Sequence, residues 1–229
     1  MALIGRRTQS EGETLELLLT THFPKSRVTQ ELAAPAAALL ARRSDWRLAT
    51  RVVTFRRVEW AIDFFAPYKS PGVNGIFPAL LQQAPEVVIP YMVSIFRAFL
   101  ATGYVPAVWQ QVKVVFIPKP GRSTYSGPRD FRPISLTSFL LKTMERLVDS
   151  YLRDEALAIV PLHPNQHAYQ AGKLVETALH PLIVRVEKVL DQQEIALGAF
   201  LDIEGAFNNA CYDTMCDALV RHGSEYIIM

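Results

Sequence analysis

Cysteine is nearly absent from this 229-residue chain, which has only Cys211 and Cys216. No Cys-x-x-Cys pair or matching histidine pattern accompanies them, so a zinc site is not expected, and two thiols cannot build a disulfide framework. The pattern suits a reduced, intracellular protein with no disulfide-linked partner. Net charge is also scarce: a formal +2 carries no bulk argument for a polyanionic partner. The first residues lack an apolar core long enough for a signal peptide. The most apolar long stretch, residues 87–109, is broken by Pro90, Arg97, Gly103 and Pro106. It reads as core rather than as a membrane span, and no membrane partner is expected. Repeats and low-complexity tracts are missing, and so is any pair of adjacent aspartates.

What remains is globular composition, half hydrophobic and one fifth charged, in a chain long enough to bury a substantial core. Charge is unevenly placed. Residues 110–135 hold Lys113, Lys119, Arg122, Arg129 and Arg132 against the single acid Asp130, whereas residues 186–229 hold eight acids against two basic residues. A basic segment and an acidic end would suit a polyphosphate and its metal ions, and an unevenly charged solvated surface gives the same numbers.

Residues 1–50 carry little chemistry and read as a linker-like approach, with a short helix over residues 11–20 and a basic Ala/Pro stretch beyond it. Thr54 caps a predicted helix to about Phe65, with Val58, Ile62 and Phe65 as its apolar stripe. The loop Tyr68-Lys69-Ser70-Pro71-Gly72-Val73-Asn74-Gly75-Ile76 follows. A glycine-bearing loop led by a lysine can approach a nucleic-acid backbone closely, and a plain surface turn has the same residues. Residues 86–102 form an amphipathic helix with Val88, Met92, Ile95, Phe96 and Phe99 inward, closed by Gly103. A strand at residues 112–117, covered on both faces, leads through Pro118 and Gly121 into a hairpin-like finger carrying Lys119, Arg122, Arg129 and Arg132. Positive groups of this kind hold polyphosphates, arginine bidentately. They also simply keep hairpins soluble.

Residues 138–155 give the clearest helix, which should bury Leu140, Leu141, Met144, Leu147, Val148 and Tyr151 on the sheet. His163 and His167 are four apart, but Pro164 argues against one helical face holding both. Pro181 interrupts the next helix, residues 176–190. The apolar run 194–200 reads as a buried strand delivering Asp202 at its end. A carboxylate there suits Mg²⁺, and it equally suits a helix cap or turn.

Several strings resemble, in order, motifs of the reverse transcriptases of non-LTR (LINE-like, jockey-type) retrotransposons. They are Lys69-Ser70-Pro71-Gly72-Val73-Asn74-Gly75-Ile76, Ile117-Pro118-Lys119-Pro120-Gly121, Asp130-Phe131-Arg132-Pro133-Ile134-Ser135-Leu136, and Phe200-Leu201-Asp202-Ile203-Glu204-Gly205-Ala206-Phe207. The chain departs from the pattern at Asn74, where Asp is usual, and at Leu174-Val175, where Ser-Thr is common.

The resemblance implies an α+β fold, the fingers and partial palm of a right-hand polymerase, truncated before the second catalytic motif. The fingers would span about residues 51–190 and the palm would start over about 191–229, together a partial reverse transcriptase domain over 51–229. It implies an RNA-directed DNA polymerase, a nucleotidyltransferase working on an RNA template and DNA primer with dNTPs and Mg²⁺ in a two-metal site. Asp202 would be catalytic and a metal ligand, with the Ile203 backbone carbonyl beside it. Lys119 and Arg132 would lie near the nucleotide phosphates, Phe207 would be the steric gate, and Lys69, Gln166 and Tyr169 would contact nucleic acid. An intracellular location, nuclear with a cytoplasmic phase, is expected. Two-metal chemistry needs more than one carboxylate, and no Asp-Asp pair is present, so the chain alone is expected to be inactive. The alternative is a non-catalytic nucleic-acid-binding remnant of a degenerate element.

Overall fold

A computed structural model describes residues 10–23, 43–121, 123–203 and 211–221. The chain divides into two compact units, one running to Leu152 and the other covering Arg153–Gly223. That division falls inside the span assigned above to the fingers.

In the first unit, α1 (Glu11–His22) starts at Ser10, whose hydroxyl accepts the Glu13 N–H. Helix α2 (Arg43–Val52) follows, then α3 (Phe55–Asp63), capped by Thr54 accepting from the Arg57 N–H. The linker-like reading of residues 1–50 is corrected here. Leu48, Ala49 and Val52 of α2 are buried, because they recur at three- and four-residue spacing on one face. Residues 1–9 and 24–42 lie outside the described residues.

A short helix α4 (Pro78–Gln82) leads into α5 (Pro85–Thr102), which ends at Gly103 with φ +65°. That left-handed turn is the glycine stop expected from the sequence. By length and composition alone α5 could cross a membrane. Its apolarity has a nearer use, since Ile89, Met92, Val93, Phe96 and Leu100 are buried in the core. Ile95, expected inward, is instead exposed.

Helix α6 (Ala107–Gln110) precedes β1 (Lys113–Pro118), which pairs antiparallel with β2 (Phe131–Leu136). Only one face of this hairpin is half-buried, through Val114, Phe116, Phe131 and Pro133. Val115, Ile117 and Ile134 are exposed, so the expectation of two covered faces fails. Among the described residues the sheet has two strands, and nothing packs on its outer side to the depth that a core strand requires.

Helix α7 (Phe139–Tyr151) buries Met144, Leu147 and Tyr151 as expected. Its main packing partners are the helices α3 and α2, where the sequence suggested the sheet. The core is therefore a helical layer of α2, α3, α5 and α7.

A single π-helical turn (Leu152–Ala156) and α8 (Leu157–Ile159) follow α7. The second unit then holds α9 (Val175–Asp191) and α10 (Tyr212–Arg221). Helix α9 passes through Pro181 without a break, correcting the expected interruption. The expected buried strand at residues 194–200 is not formed. Residues 194–203 make neither helix nor strand, and Phe200 and Leu201 are 86% and 95% exposed. A strand needs a neighbour for its N–H and C=O groups, and among the described residues none pairs with this segment.

Candidate nucleotide and nucleic-acid site

Lys119 and Arg132 both lie at the loop end of the hairpin. The register pairs Ile117 with Arg132 and Pro118 with Phe131, and the Lys119 N–H donates to the Asp130 carbonyl at 2.9 Å. Lys119 lies two residues beyond Ile117. Side chains alternate along a strand, so Arg132 shares the exposed face with Ile117, while Lys119 is the first residue past the end of β1. Arg132 is exposed and Lys119 half-buried.

The tip between them is built around Asp130, which is buried. One oxygen of its carboxylate accepts the N–H groups of Ser126 and Gly127 at 3.0 and 2.9 Å. A 3₁₀ turn, Pro128–Asp130, carries it. The Tyr125 hydroxyl donates to the Lys119 carbonyl at 3.0 Å, and its ring lies 5.9 Å from that of Phe131. From α1, the His22 Nε2–H donates to the Pro128 carbonyl at 2.9 Å, and the His22 ring lies 5.7 Å from Phe116. A carbonyl only accepts, so Nε2 carries the proton. Sequence reasoning counted Asp130 only as a lone acid among bases. The signal was the adjacent Gly127-Pro128 turn, where an Asp two residues on can gather free N–H groups. Arg122 lies outside the described residues.

Lys69 is exposed, in the loop leaving α3. The loop is anchored further along. A Cβ on Gly72 would fall 2.7 Å from the Thr137 carbonyl carbon and 2.9 Å from the Ser138 N, so only glycine allows this backbone contact. Asn74 donates from Nδ2 to the Ser138 hydroxyl at 2.9 Å, and the same oxygen accepts the Leu140 N–H as the cap of α7. Asn74 thus makes a bond that an Asp could make by accepting the hydroxyl proton. Only Thr137 and Ser138 separate β2 from α7, so this loop is tied to the strand that carries Arg132.

In the second unit, Gln166 and Tyr169 share one exposed loop. The Gln166 carbonyl accepts from Gln170 Nε2 at 2.8 Å and Lys173 Nζ at 2.9 Å. Tyr169 has φ +60°, uncommon for a bulky residue, and its carbonyl accepts from Arg153. The departure at Leu174 is partly made good. Leu174 has no capping side chain, and the Thr177 hydroxyl accepts its N–H at 2.9 Å while His167 Nδ1 lies 3.0 Å from the same oxygen.

Asp202 and Ile203 are both exposed, in the strandless segment 194–203. Phe207 and Glu204 lie outside the described residues. Among the described residues no three His, Cys, Asp or Glu side chains gather as a metal cluster. Cys211 is exposed, Cys216 half-buried, and both are free.

The comparisons with known proteins agree with the motifs. Residues 117–223 match the family model described as "Reverse transcriptase (RNA-dependent DNA polymerase)". The chain is 31% identical over 145 residues to the "Probable RNA-directed DNA polymerase from transposon BS" of Drosophila melanogaster, covering 63% of this chain and 16% of that protein. It is 29% identical over 164 residues to the RNA-directed DNA polymerase from mobile element jockey of the same organism, covering 70% of this chain and 18% of that protein. Against the Pol polyprotein from type-1 retrotransposable element R1 of Bradysia coprophila it is 30% identical over 141 residues, covering 62% and 14%. The chain therefore spans less than a fifth of the length of these relatives, and the resemblance to the non-LTR retrotransposon polymerases is borne out over that part.

Proposed function

We propose that this chain, related over residues 117–223 to the RNA-directed DNA polymerases of non-LTR retrotransposons, contributes the fingers and the first part of the palm to RNA-templated DNA synthesis. The observation that supports this reading is the hairpin itself, with Arg132 in the second residue of β2 and Lys119 the first residue past β1, its N–H bonded to the Asp130 carbonyl. Phosphoryl transfer is catalysed mainly by positioning and charge stabilisation. In this reading Arg132 and Lys119 hold the triphosphate of the incoming dNTP, Arg132 by paired N–H···O bonds. The buried Asp130 fixes the turn that spaces them. Phe207 excludes the ribose 2′-hydroxyl, and Lys69, Gln166 and Tyr169 meet the RNA template and DNA primer. The location that goes with this reading is intracellular, nuclear with a cytoplasmic phase.

Mg²⁺ is the metal implied, and its fit to this chain is partial. Asp202 offers one carboxylate and Ile203 a backbone carbonyl, enough to join a substrate phosphate around one ion. A two-metal site needs further carboxylates, and among the described residues no three His, Cys, Asp or Glu side chains gather as a metal cluster.

Primer extension tests the reading. With oligo(dT) on poly(rA), Mg²⁺ and dTTP, the purified chain is expected to incorporate nothing. Incorporation that Asp202→Ala abolishes would overturn the inactivity and establish a complete site. The departures from the family pattern at Asn74 and Leu174-Val175, with Pro181 inside α9, favour the second reading, a non-catalytic remnant, whose signature is salt-dependent RNA binding that Mg²⁺ and dNTPs leave unchanged.

A further inference from the structure

Helix α3 has three kinds of surface. Val58, Ala61 and Ile62 are buried. Glu59 and Asp63 face α4 and the start of α5, lining a small cleft with Leu81, Gln82 and Pro85. The edge toward α7 is aromatic and cationic: Trp60 and Phe64 are 47% and 64% exposed. The Arg146 guanidinium of α7 lies 3.4 Å from the Phe64 ring centroid and 5.6 Å from that of Trp60. One turn before it on α7, Lys142 sits 4.6 Å from the Phe139 ring. The acids Glu59 and Asp63 thus line the cleft on one side of α3, while the cations on the other side come from α7, where Glu145 and Asp149 lie near them.

We infer that the Trp60–Phe64–Arg146 edge is a docking surface for single-stranded RNA. Three features recommend this occupant. Trp60 and Phe64, the C-cap residue of α3, are i, i+4 neighbours roughly 6 Å apart, and both are exposed, as residues on which bases stack without regard to sequence must be. Arg146 and Lys142 supply positive charge beside those rings, as a strand with a phosphate at every base requires. Burial lowers the pKa of Arg146 while Asp149 opposes the shift, as expected of a guanidinium laid against rings rather than extended into water. An apolar protein partner would favour aliphatic cover over this alternation of rings and cations. The inference rests on the reading of this chain as part of an RNA-templated polymerase, and adds a surface distinct from the hairpin end.

The test uses the full chain with Trp46→Phe and Trp109→Phe, which leaves Trp60 as its sole tryptophan. Oligouridylate is titrated at several salt concentrations. Trp60 fluorescence is expected to be quenched, and Trp60→Ala with Phe64→Ala to weaken binding by about tenfold or more. That double variant should leave the salt slope unchanged, because it removes no charge. Arg146→Ala with Lys142→Ala should lower the slope by about 1.4, and Arg146→Lys should restore the slope contribution but only part of the affinity. RNA bound with Trp60 unquenched and with undiminished affinity in the aromatic variant would overturn this surface while sparing the polymerase reading. No RNA binding by the unaltered chain at low salt would overturn both. Both aromatic side chains are exposed, and unchanged circular dichroism confirms that the variants fold.

Discussion

Gly72 leaves no room for a methyl group against Thr137 and Ser138. Gly72→Ala is expected to destabilise the first unit by about 1–3 kcal/mol, read from urea unfolding. Asn74→Ala should cost about 1 kcal/mol, while Asn74→Asp should cost almost nothing, because the Ser138 hydroxyl can donate to a carboxylate as readily as it accepts from an amide. Asp130→Ala strands two backbone N–H groups at the hairpin tip and should cost about 1–3 kcal/mol. Glu145 has its pKa raised by burial, with Lys142 opposing. A carboxyl that holds its proton more tightly when folded loses stability as pH rises from its unfolded pKa through its raised folded one. Glu145→Gln should therefore raise Tm slightly at pH 7 and leave it unchanged near pH 3. The gain is small, since the side chain as a whole is exposed. At this scale the sequence revealed chemistry better than wiring. Lys119 and Arg132 stand out as cations in a turn-rich stretch. The contact from His22 reaches a carbonyl 106 residues away, which no local pattern encodes.

The elements that could be read were those whose periodicity and caps agree. Thr54, Ser138 and Gly103 mark where α3 and α7 begin and α5 ends, and side-chain spacing gave their buried faces. Helix α9 is different, because it runs through Pro181, which supplies no N–H and crowds the Thr177 carbonyl. Pro181→Ala should stabilise α9 by roughly 3 kcal/mol, seen as a later far-ultraviolet circular dichroism melt. Residues 194–203 failed as a strand for the opposite reason. Their apolar, β-permissive composition is right, but a strand is completed by its neighbours. The outer face of the hairpin carries the same lesson: alternation in Val114–Ile117 identified the strand, while the cover on each side was set by tertiary packing.

At the scale of the molecule, ordered motifs carried the family resemblance further than composition did. Net charge, cysteine count and hydropathy excluded disulfide and zinc scaffolds and little else. The strings around Lys69, Lys119, Arg132 and Asp202 pointed to reverse transcriptases, and residues 117–223 match that family. In the hairpin the two-residue period identifies which strand residues share a face, while the twelve-residue connection between the strands carries no such pattern. Asp202 was legible as chemistry but not as a completed site, since its proposed partners are not encoded nearby.

The central claim is that the hairpin end grips a nucleoside triphosphate, and the most direct measurement is equilibrium binding of Mg²⁺–dTTP to the full chain, compared with Arg132→Ala and Arg129→Ala. These two changes remove the same charge within three residues of each other. Loss of about tenfold to a hundredfold in affinity for Arg132→Ala, with Arg129→Ala close to the unaltered chain, is the expected result. Equal effects from both substitutions, or none from either, would contradict the account.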